Sequence, residues 1–359
     1  MRRRAAASIS LLFGLLTGTG EAIAQTPSAP EQVTVDQLVE RAVADNPELR
    51  AMRAEVDAAR GRLRQAALRP NPMLELGGQQ NVAGPDSNVS VGLSIPLDLN
   101  GRKAGRVGVA EREIEVKQAQ VSERERRLAA EVSLKASELL AARRNFDFTG
   151  ELLGTNQKAL GLARDRVRQG AAPALDENLV LVEVNRLEAG LSILKSRVEI
   201  LGLQLKLLAG MPPNEPLSLQ GELGPRPFTP DRTQALERAL AGRPDVVIAR
   251  AEAATAEAQG AERKREATEL IIRQEVAAAF TQFDAAQRAL EIYTRGVRDV
   301  AERNLGVVRQ AYELGRIPLL DVIAEQRRYI DIELGYTDVL RLVYDAGIEI
   351  QRAVAVGPR

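Results

Sequence analysis

The sequence predicts a mainly α-helical chain, built as long antiparallel coiled-coil hairpins in two tandem repeats, with a β-hairpin in the first repeat only. Three observations carry this reading. Apolar residues recur in alternating steps of three and four over stretches much longer than an ordinary helix. A segment near the start, Leu38 to Glu55, aligns without gaps on Ala235 to Glu252, matching at Glu-Arg-Ala, at Pro47 and Pro244, and at the final Arg-Ala-Glu. Between Pro70 and Leu99 the apolar period drops to two.

In chain order, residues 1–24 read as a secretory signal peptide. Arg2, Arg3 and Arg4 open it, an apolar run from Ala5 to Leu16 follows, and Ala22-Ile23-Ala24 supplies the small-residue cleavage site. The apolar run is shorter than the ~20 residues a spanning helix needs. Residues 25–32 form a flexible lead-in, and residues 33–210 form the first repeat.

Inside that repeat, Val89, Val91, Leu93, Ile95 and Leu97 alternate with Ser90, Gly92, Ser94 and Pro96, as in a strand with one apolar face. A weaker alternation over Met73 to Gln80, with the turn formers Gly84, Pro85, Asp86 and Ser87 between, makes this a hairpin over about 71–99. Its strands have roughly the 9 to 11 residues that cross an outer membrane.

The rest is helical. The first-repeat seam runs Val180, Val184, Leu187, Leu191, Leu194, Val198, Leu201, Leu205 and Leu208. The second repeat, 232–357, follows a Pro-rich linker over 211–231. Its seam runs Val276, Ala279, Phe283, Ala286, Leu290, Tyr293, Val297 and Val300, then Asn304, Val307, Ala311 and Leu314 along a helix from Lys264 to Leu314. Asn304 reads as a register-setting polar residue in that seam. Val322, Tyr329, Tyr336, Leu340, Val343, Ile350 and Val354 line the return helix.

Each coiled coil turns at a repeated motif, Gly170-x-x-Pro173-x-Leu175-Asp176 and Gly315-x-x-Pro318-x-Leu320-Asp321. Gly ends one helix in the left-handed conformation, Pro suits the first position of the next, and Asp sits near the positive end of its dipole. The tips lie 145 residues apart (315 − 170) and the earlier repeats 197 apart (244 − 47), so about 52 residues of the first repeat have no counterpart. The helical pattern from Pro244 through Ala261 and Ile271 shows that the second β-hairpin is what is missing.

Composition limits the chemistry. The chain of 359 residues has neither Cys nor His, which excludes thiol and imidazole catalysis, disulfides and zinc sites. Its 49 basic residues balance 49 acidic ones and aromatics make up 3%, which leaves no basic or stacking surface for nucleic acid. Paired carboxylates such as Glu111 and Glu115, or Asp299 and Glu302, and the run Glu123 to Arg127, read as solvated helix faces. No catalytic, cofactor-binding or metal-ligating residue is assigned, and the chain is not read as an enzyme.

These residues together resemble the TolC family of outer membrane efflux proteins, in particular its cobalt-zinc-cadmium resistance type. The resemblance rests on the signal peptide, Asn46-Pro47 within Leu38 to Glu55, Asn71-Pro72, and Val91 to Leu99 running into Gly101-Arg102-Lys103. Both Gly-to-Asp tips add to it, and it covers about residues 33 to 357. It implies a homotrimer whose helices make a tunnel across the periplasm, topped by a β-barrel in the outer membrane that contains Val89, Val91, Leu93, Ile95 and Leu97. It further implies a passive duct, with a periplasmic adaptor protein and an inner-membrane pump as partners. The tips Gly170, Pro173, Leu175 and Asp176, with Gly315, Pro318, Leu320 and Asp321, would meet the adaptor, and their acids would favour cations. A trimer with one hairpin per protomer supplies six strands, and residues 70–100 contain no Phe, Tyr or Trp for an aromatic girdle. The competing expectation is a soluble periplasmic coiled-coil scaffold or adaptor derived from such a channel.

Overall fold

The computed structural model describes residues 32–80, 87–97, 101–224, 231–253 and 258–355. The signal-peptide reading therefore falls outside the described residues, as does most of the lead-in. A short strand β1 (Gln32–Thr34) leads into helices α1 (Val35–Asp45) and α2 (Pro47–Ala67). Strands β2 (Met73–Gln80) and β3 (Ser87–Ser94) follow, and then the long helices α3 (Arg102–Arg168) and α4 (Ala174–Leu208). Strand β4 (Ser218–Gln220) lies in the linker and pairs parallel with β1, Val33 facing Leu219. Gln32 thus begins a strand where the sequence suggested lead-in, and the linker contributes a strand where it looked only irregular.

The second repeat comprises α5 (Arg232–Gly242), α6 (Pro244–Ala253), α7 (Ala258–Ile292), a π-helical turn at Tyr293–Val297, α8 (Arg298–Glu313) and α9 (Leu319–Val354). Among the described residues no strand interrupts it, and only residues 254–257 separate α6 from α7.

Local chemistry explains why the helices start where they do. Thr34 and Gln37 form a capping box on α1. Asn46 accepts from the amides of Glu48 and Leu49, and Pro47 occupies the first position of α2, where its missing N–H costs nothing. Asp231 caps α5 in the same way.

The short helices of each repeat pack on its long ones. In the first repeat Leu38, Val39, Ala42 and Leu49 close over Leu128, Val132, Leu139 and Leu205. In the second, Ala235, Ala239 and Val246 close over Ile272, Val276, Phe283, Val343 and Ile350.

The residue before each repeat's proline anchors the end of the return helix. Asn46 Nδ2 donates to the Leu208 carbonyl at 3.0 Å, and Arg243 Nη1 donates to the Ala353 carbonyl at 3.3 Å. These carbonyls are 145 residues apart (353 − 208), the spacing of the tips. Arg243 is 2% exposed and forms 2.6 Å ion pairs with Asp245 and Glu275. Burial opposes the charge of Asp245, but the guanidinium outweighs it and holds the carboxyl below its ordinary range. Arg126 reaches the adjacent Arg352 carbonyl while paired to Glu123. Glu123 and Arg126 are therefore buried, which corrects the reading of Glu123 to Arg127 as a wholly solvated run. Arg126 caps the negative end of α9, and Glu123 is its buried counter-ion, so neither faces water.

Helix α3 is roughly 100 Å long at 1.5 Å per residue, and α7 through α8 runs as one rod of roughly 80 Å. The α4 seam lies inward, with Val180, Val184, Leu187, Leu201 and Leu205 buried. On α7 Val276, Ala279, Phe283 and Ala286 are buried, as the heptad requires, with Ile272 and Phe280 beside them, but beyond the π turn the buried positions become Ala301 and Leu305. Asn304 is exposed, as are Val300 and Val307. The π turn inserts one residue into the helical repeat, so an unbroken heptad count passes from the inner face to the outer one. Tyr293 fixes this turn against α9, where a Cβ on Gly335 would come within 2.7 Å of its hydroxyl.

The ends of the two return helices differ in one informative way. Gly210 has φ +67°, and a Cβ there would meet the Asp45 carbonyl oxygen at 2.8 Å. Its counterpart by the same offset, Ala355, adopts φ 56° without being glycine. Ala355→Gly should therefore stabilise the chain by up to about 1 kcal/mol, while Gly210→Ala should cost about 2 kcal/mol because strain and a backbone contact combine. Thermal melts followed by circular dichroism would test the opposite signs.

Asp345 offers a pH test. Burial between α3 and α9 raises its carboxyl above the ordinary 3.8, only partly offset by the Ser137 hydroxyl and Arg341. Its ionisation therefore costs stability once pH rises past the unfolded value. Asp345→Asn should raise the melting temperature at pH 7, and the difference should vanish toward pH 3.

Candidate functional site

Two ends of the molecule carry groups that the packing leaves unused. At one end β2 and β3 pair antiparallel, with Leu74 opposite Leu93, Leu76 opposite Val91 and Gly78 opposite Val89. These share one face, and the other carries Glu75, Gly77, Ser90, Gly92 and Ser94. The apolar face has no cover: Leu76 is 73% exposed and Val89 76%. The ladder stops at Met73 opposite Ser94, so Ile95 and Leu97 lie beyond the strand the sequence assigned to them. Pro72 and Pro96 lack the N–H groups that further pairing needs. Both leucine-like positions remain exposed beside the sheet.

At the other end are the two tips. Gly170 and Gly315 have φ +70° and +69°. In each, the amide after the glycine bonds five residues back, Ala171 to Arg166 at 2.8 Å and Arg316 to Ala311 at 2.9 Å, which is the Schellman closure. Pro173 and Pro318 sit one position earlier than expected, as the N-cap residues. Asp176 and Asp321 fall in the first turns, and Leu175 and Leu320 point outward, 63% and 57% exposed. The structure thus brings each Leu-Asp pair to the end of a hairpin.

A buried charge braces these hairpins a few turns from the tips. Glu183 on α4 is 1% exposed, and Arg327 on α9 donates to its Oε2 from Nε at 3.1 Å and from Nη2 at 2.9 Å. Farther along, Glu333 is buried and accepts from Arg298 Nε at 2.5 Å, with Arg144 at 3.7 Å. The Arg298 and Arg144 guanidinium groups lie 5.2 and 5.4 Å from the Tyr336 ring centre. The hydrogen bond to Glu333 raises the Arg298 pKa further. These residues line an open polar cavity of about 710 Å³ between α3 and α9. Within it Glu333 already pairs with Arg298 and Arg144. Sequence reasoning missed Glu183 and Glu333 because, on a helix this rich in charge, a buried acid carries no local signal that separates it from a solvated one.

Long paired helical hairpins ending in Gly-Asp tips, with an uncovered amphipathic β-hairpin at the far end, define a class of elongated helical proteins. Residues 38–210 match the family model described as outer membrane efflux protein. It is 25% identical over 257 residues to the cobalt-zinc-cadmium resistance protein CzcC of Cupriavidus metallidurans, covering 71% of this chain. That alignment spans only 61% of CzcC. The fold is that of a membrane protein from Pseudomonas aeruginosa (TM-score 0.73, 20% identity, 91% of this chain and 97% of that one). It is also that of the outer membrane protein VceC of Vibrio cholerae (TM-score 0.69, 18% identity, 90% and 97%).

The brace makes a sharp prediction. Arg327→Ala should destabilise the chain by about 3 kcal/mol, because it strands a buried carboxylate. The double variant Glu183→Leu/Arg327→Ala should recover most of that loss. Urea unfolding of the three proteins gives the comparison.

Proposed function

We propose that the chain is the outer-membrane duct subunit of a tripartite efflux system. Three copies assemble into a passive, periplasm-spanning conduit for metal cations or other small solutes. An inner-membrane pump supplies the energy, and a periplasmic adaptor joins the two. The observation that carries this reading is the β-hairpin, a two-stranded sheet too small to be stable alone in water, with every large residue of one face exposed. Lipid covers such a face, and a closed barrel satisfies its edges. No helix among the described residues is long and apolar enough to cross a membrane. In this reading Val89, Val91 and Leu93 face lipid, with Ile95 and Leu97 at the strand's end, and Glu75, Ser90 and Ser94 face the lumen.

The tips, about 100 Å away along α3, then form the periplasmic mouth. Leu175 and Leu320 are the apolar contacts offered to the adaptor, while Asp176 and Asp321 supply the acidic rim that favours cations. The name of the relative CzcC supports metal cations as cargo. With neither His nor Cys in the chain, cargo passes without strong ligation. One hairpin per protomer gives a trimer six strands, and so narrow a barrel is nearly filled by its own side chains. Gly77, Ser90, Gly92 and Ser94 are small inward residues that leave room for water and small ions.

Planar-bilayer recording of the purified protein tests this. The expected outcome is steady, cation-selective steps, and Leu76→Arg/Val91→Arg should abolish them while leaving the helical circular dichroism intact. Each buried Arg on a lipid face costs about 2–4 kcal/mol at the midplane. Silence from the unsubstituted protein would move the reading to the soluble scaffold.

A further inference from the structure

The strands of the β-hairpin run into two helices whose nearest turns are strongly basic. Residues 58–74 and 101–110, on either side of the hairpin, carry seven Arg or Lys and no Asp or Glu. Four of these, Arg64, Arg69, Arg102 and Lys103, are exposed and make no ion pair or side-chain hydrogen bond among the described residues. Farther from the strands the same two helices neutralise their cations. Arg62 pairs with Glu113 and Lys117 with Glu55, both at 2.7 Å, and Arg124 pairs with Glu48 at 2.8 Å. Those pairs set α2 antiparallel to α3, so Arg69 comes level with about residues 103–106 and Arg64 with about residues 108–111. The four cations then lie within roughly 12 Å along the helix axes. Two exposed apolar side chains, Leu68 and Val109, share that height.

The second repeat serves as an internal control. Where α6 passes to α7 without a strand among the described residues, the basic residues at the start of α7 are interleaved with acids. Lys264 pairs there with Glu252, and Arg265 pairs with both Glu262 and Glu269. A basic stretch free of acids thus accompanies the strands and is missing where they are missing. Arg102 and Lys103 also occupy the first turn of α3, which holds no acid and has no side-chain cap. The helix dipole disfavours cations at that end, so helix stability gives no reason for them.

We propose that these four residues form a cationic collar that binds the anionic phospholipid headgroups of the periplasmic leaflet of the outer membrane. The inference rests on the membrane reading of the hairpin given above and adds the lipid class that its base meets. The leaflet follows from topology, because the collar lies on the helical side of the ladder, which ends with Met73 opposite Ser94. Residues 70–100 contain no Phe, Tyr or Trp, the side chains that ordinarily hold strands at an interface. Arg and Lys reach the same end by another route, since their stems stay with hydrocarbon while their charges extend to the headgroups. The height of the collar matches the headgroup layer plus one screening length of about 8 Å. Phosphate is the complementary group, because guanidinium binds it in a bidentate fork.

Vesicle flotation of the full exported chain tests the collar. Vesicles containing phosphatidylglycerol should take up the protein far better than vesicles of phosphatidylcholine alone, and high salt should remove the difference. Arg102→Gln/Lys103→Gln should weaken binding to the anionic vesicles about thirtyfold, at about fivefold per cation. Arg64→Lys/Arg69→Lys should keep the binding, because the charge is kept. Lys264→Gln/Arg265→Gln removes as much charge from the repeat without strands and should leave binding nearly unchanged, with the helical dichroism of every variant the same. Equal losses from the two Gln double variants, or equal uptake by the two vesicle types, would overturn the collar. Equal uptake with steady conductance would leave the duct reading standing. Binding to anionic vesicles without conductance would support the collar and sink the duct, and absence from both vesicle types would overturn both.

Discussion

The structure depends on one constraint: a helix some 100 Å long with a narrow apolar stripe must have that stripe covered along its whole length. A short amphipathic helix can bury its face against a compact core, but α3 extends far beyond any such core. Only another helix of matching period can follow it. The antiparallel return of α4, made possible by the left-handed Gly170, supplies that cover, and α9 supplies it for the rod of α7 and α8. The small clusters of short helices packed near the far ends, centred on Leu49 and on Val246, terminate the rods.

Duplication meets the same constraint twice, and the differences between repeats show which parts it fixes. Both return helices end with a left-handed residue and a donated hydrogen bond from the residue preceding a proline. The donor is Asn46 in one repeat and Arg243 in the other, and the left-handed residue is Gly210 in one and Ala355 in the other. Geometry is kept while chemistry drifts. The β-hairpin is not under this constraint, since it touches none of the coiled-coil seams. Its presence in one repeat and absence among the described residues of the other leaves the rods unchanged.

Legibility in the sequence follows the same division. The strand alternation at Val89 to Leu93, the tips, the repeat spacing and the α4 seam could be read directly, because each is a local pattern of period two, of seven, or of fixed turn residues. Strand β4 could not, because three residues of a parallel pair leave no period to detect. The π turn at Tyr293 to Val297 could not either: an inserted residue leaves the composition of a seam unchanged and alters only where it points. The buried acids Glu183 and Glu333 were hidden for a related reason. Burial on a long charged helix is decided by a neighbour more than a hundred residues away, through Arg327 for the first.

The misplacement of Asn304 is the most instructive of these differences. A heptad count that ignores the π turn carries the seam from the inner face of the rod onto the outer one, yet that outer stripe is apolar all the same. Selection for folding the protomer alone would not place Val300, Val307 and Leu314 in water at heptad spacing, with exposures of 43%, 65% and 61%. A polar stripe would fold as well and resist aggregation better. Two overlapping seams therefore exist on one helix, offset by a single residue, and the inserted residue shifts both together. In the proposed duct every helix has two neighbours, and a single chain supplies only one of them to each of its edge helices.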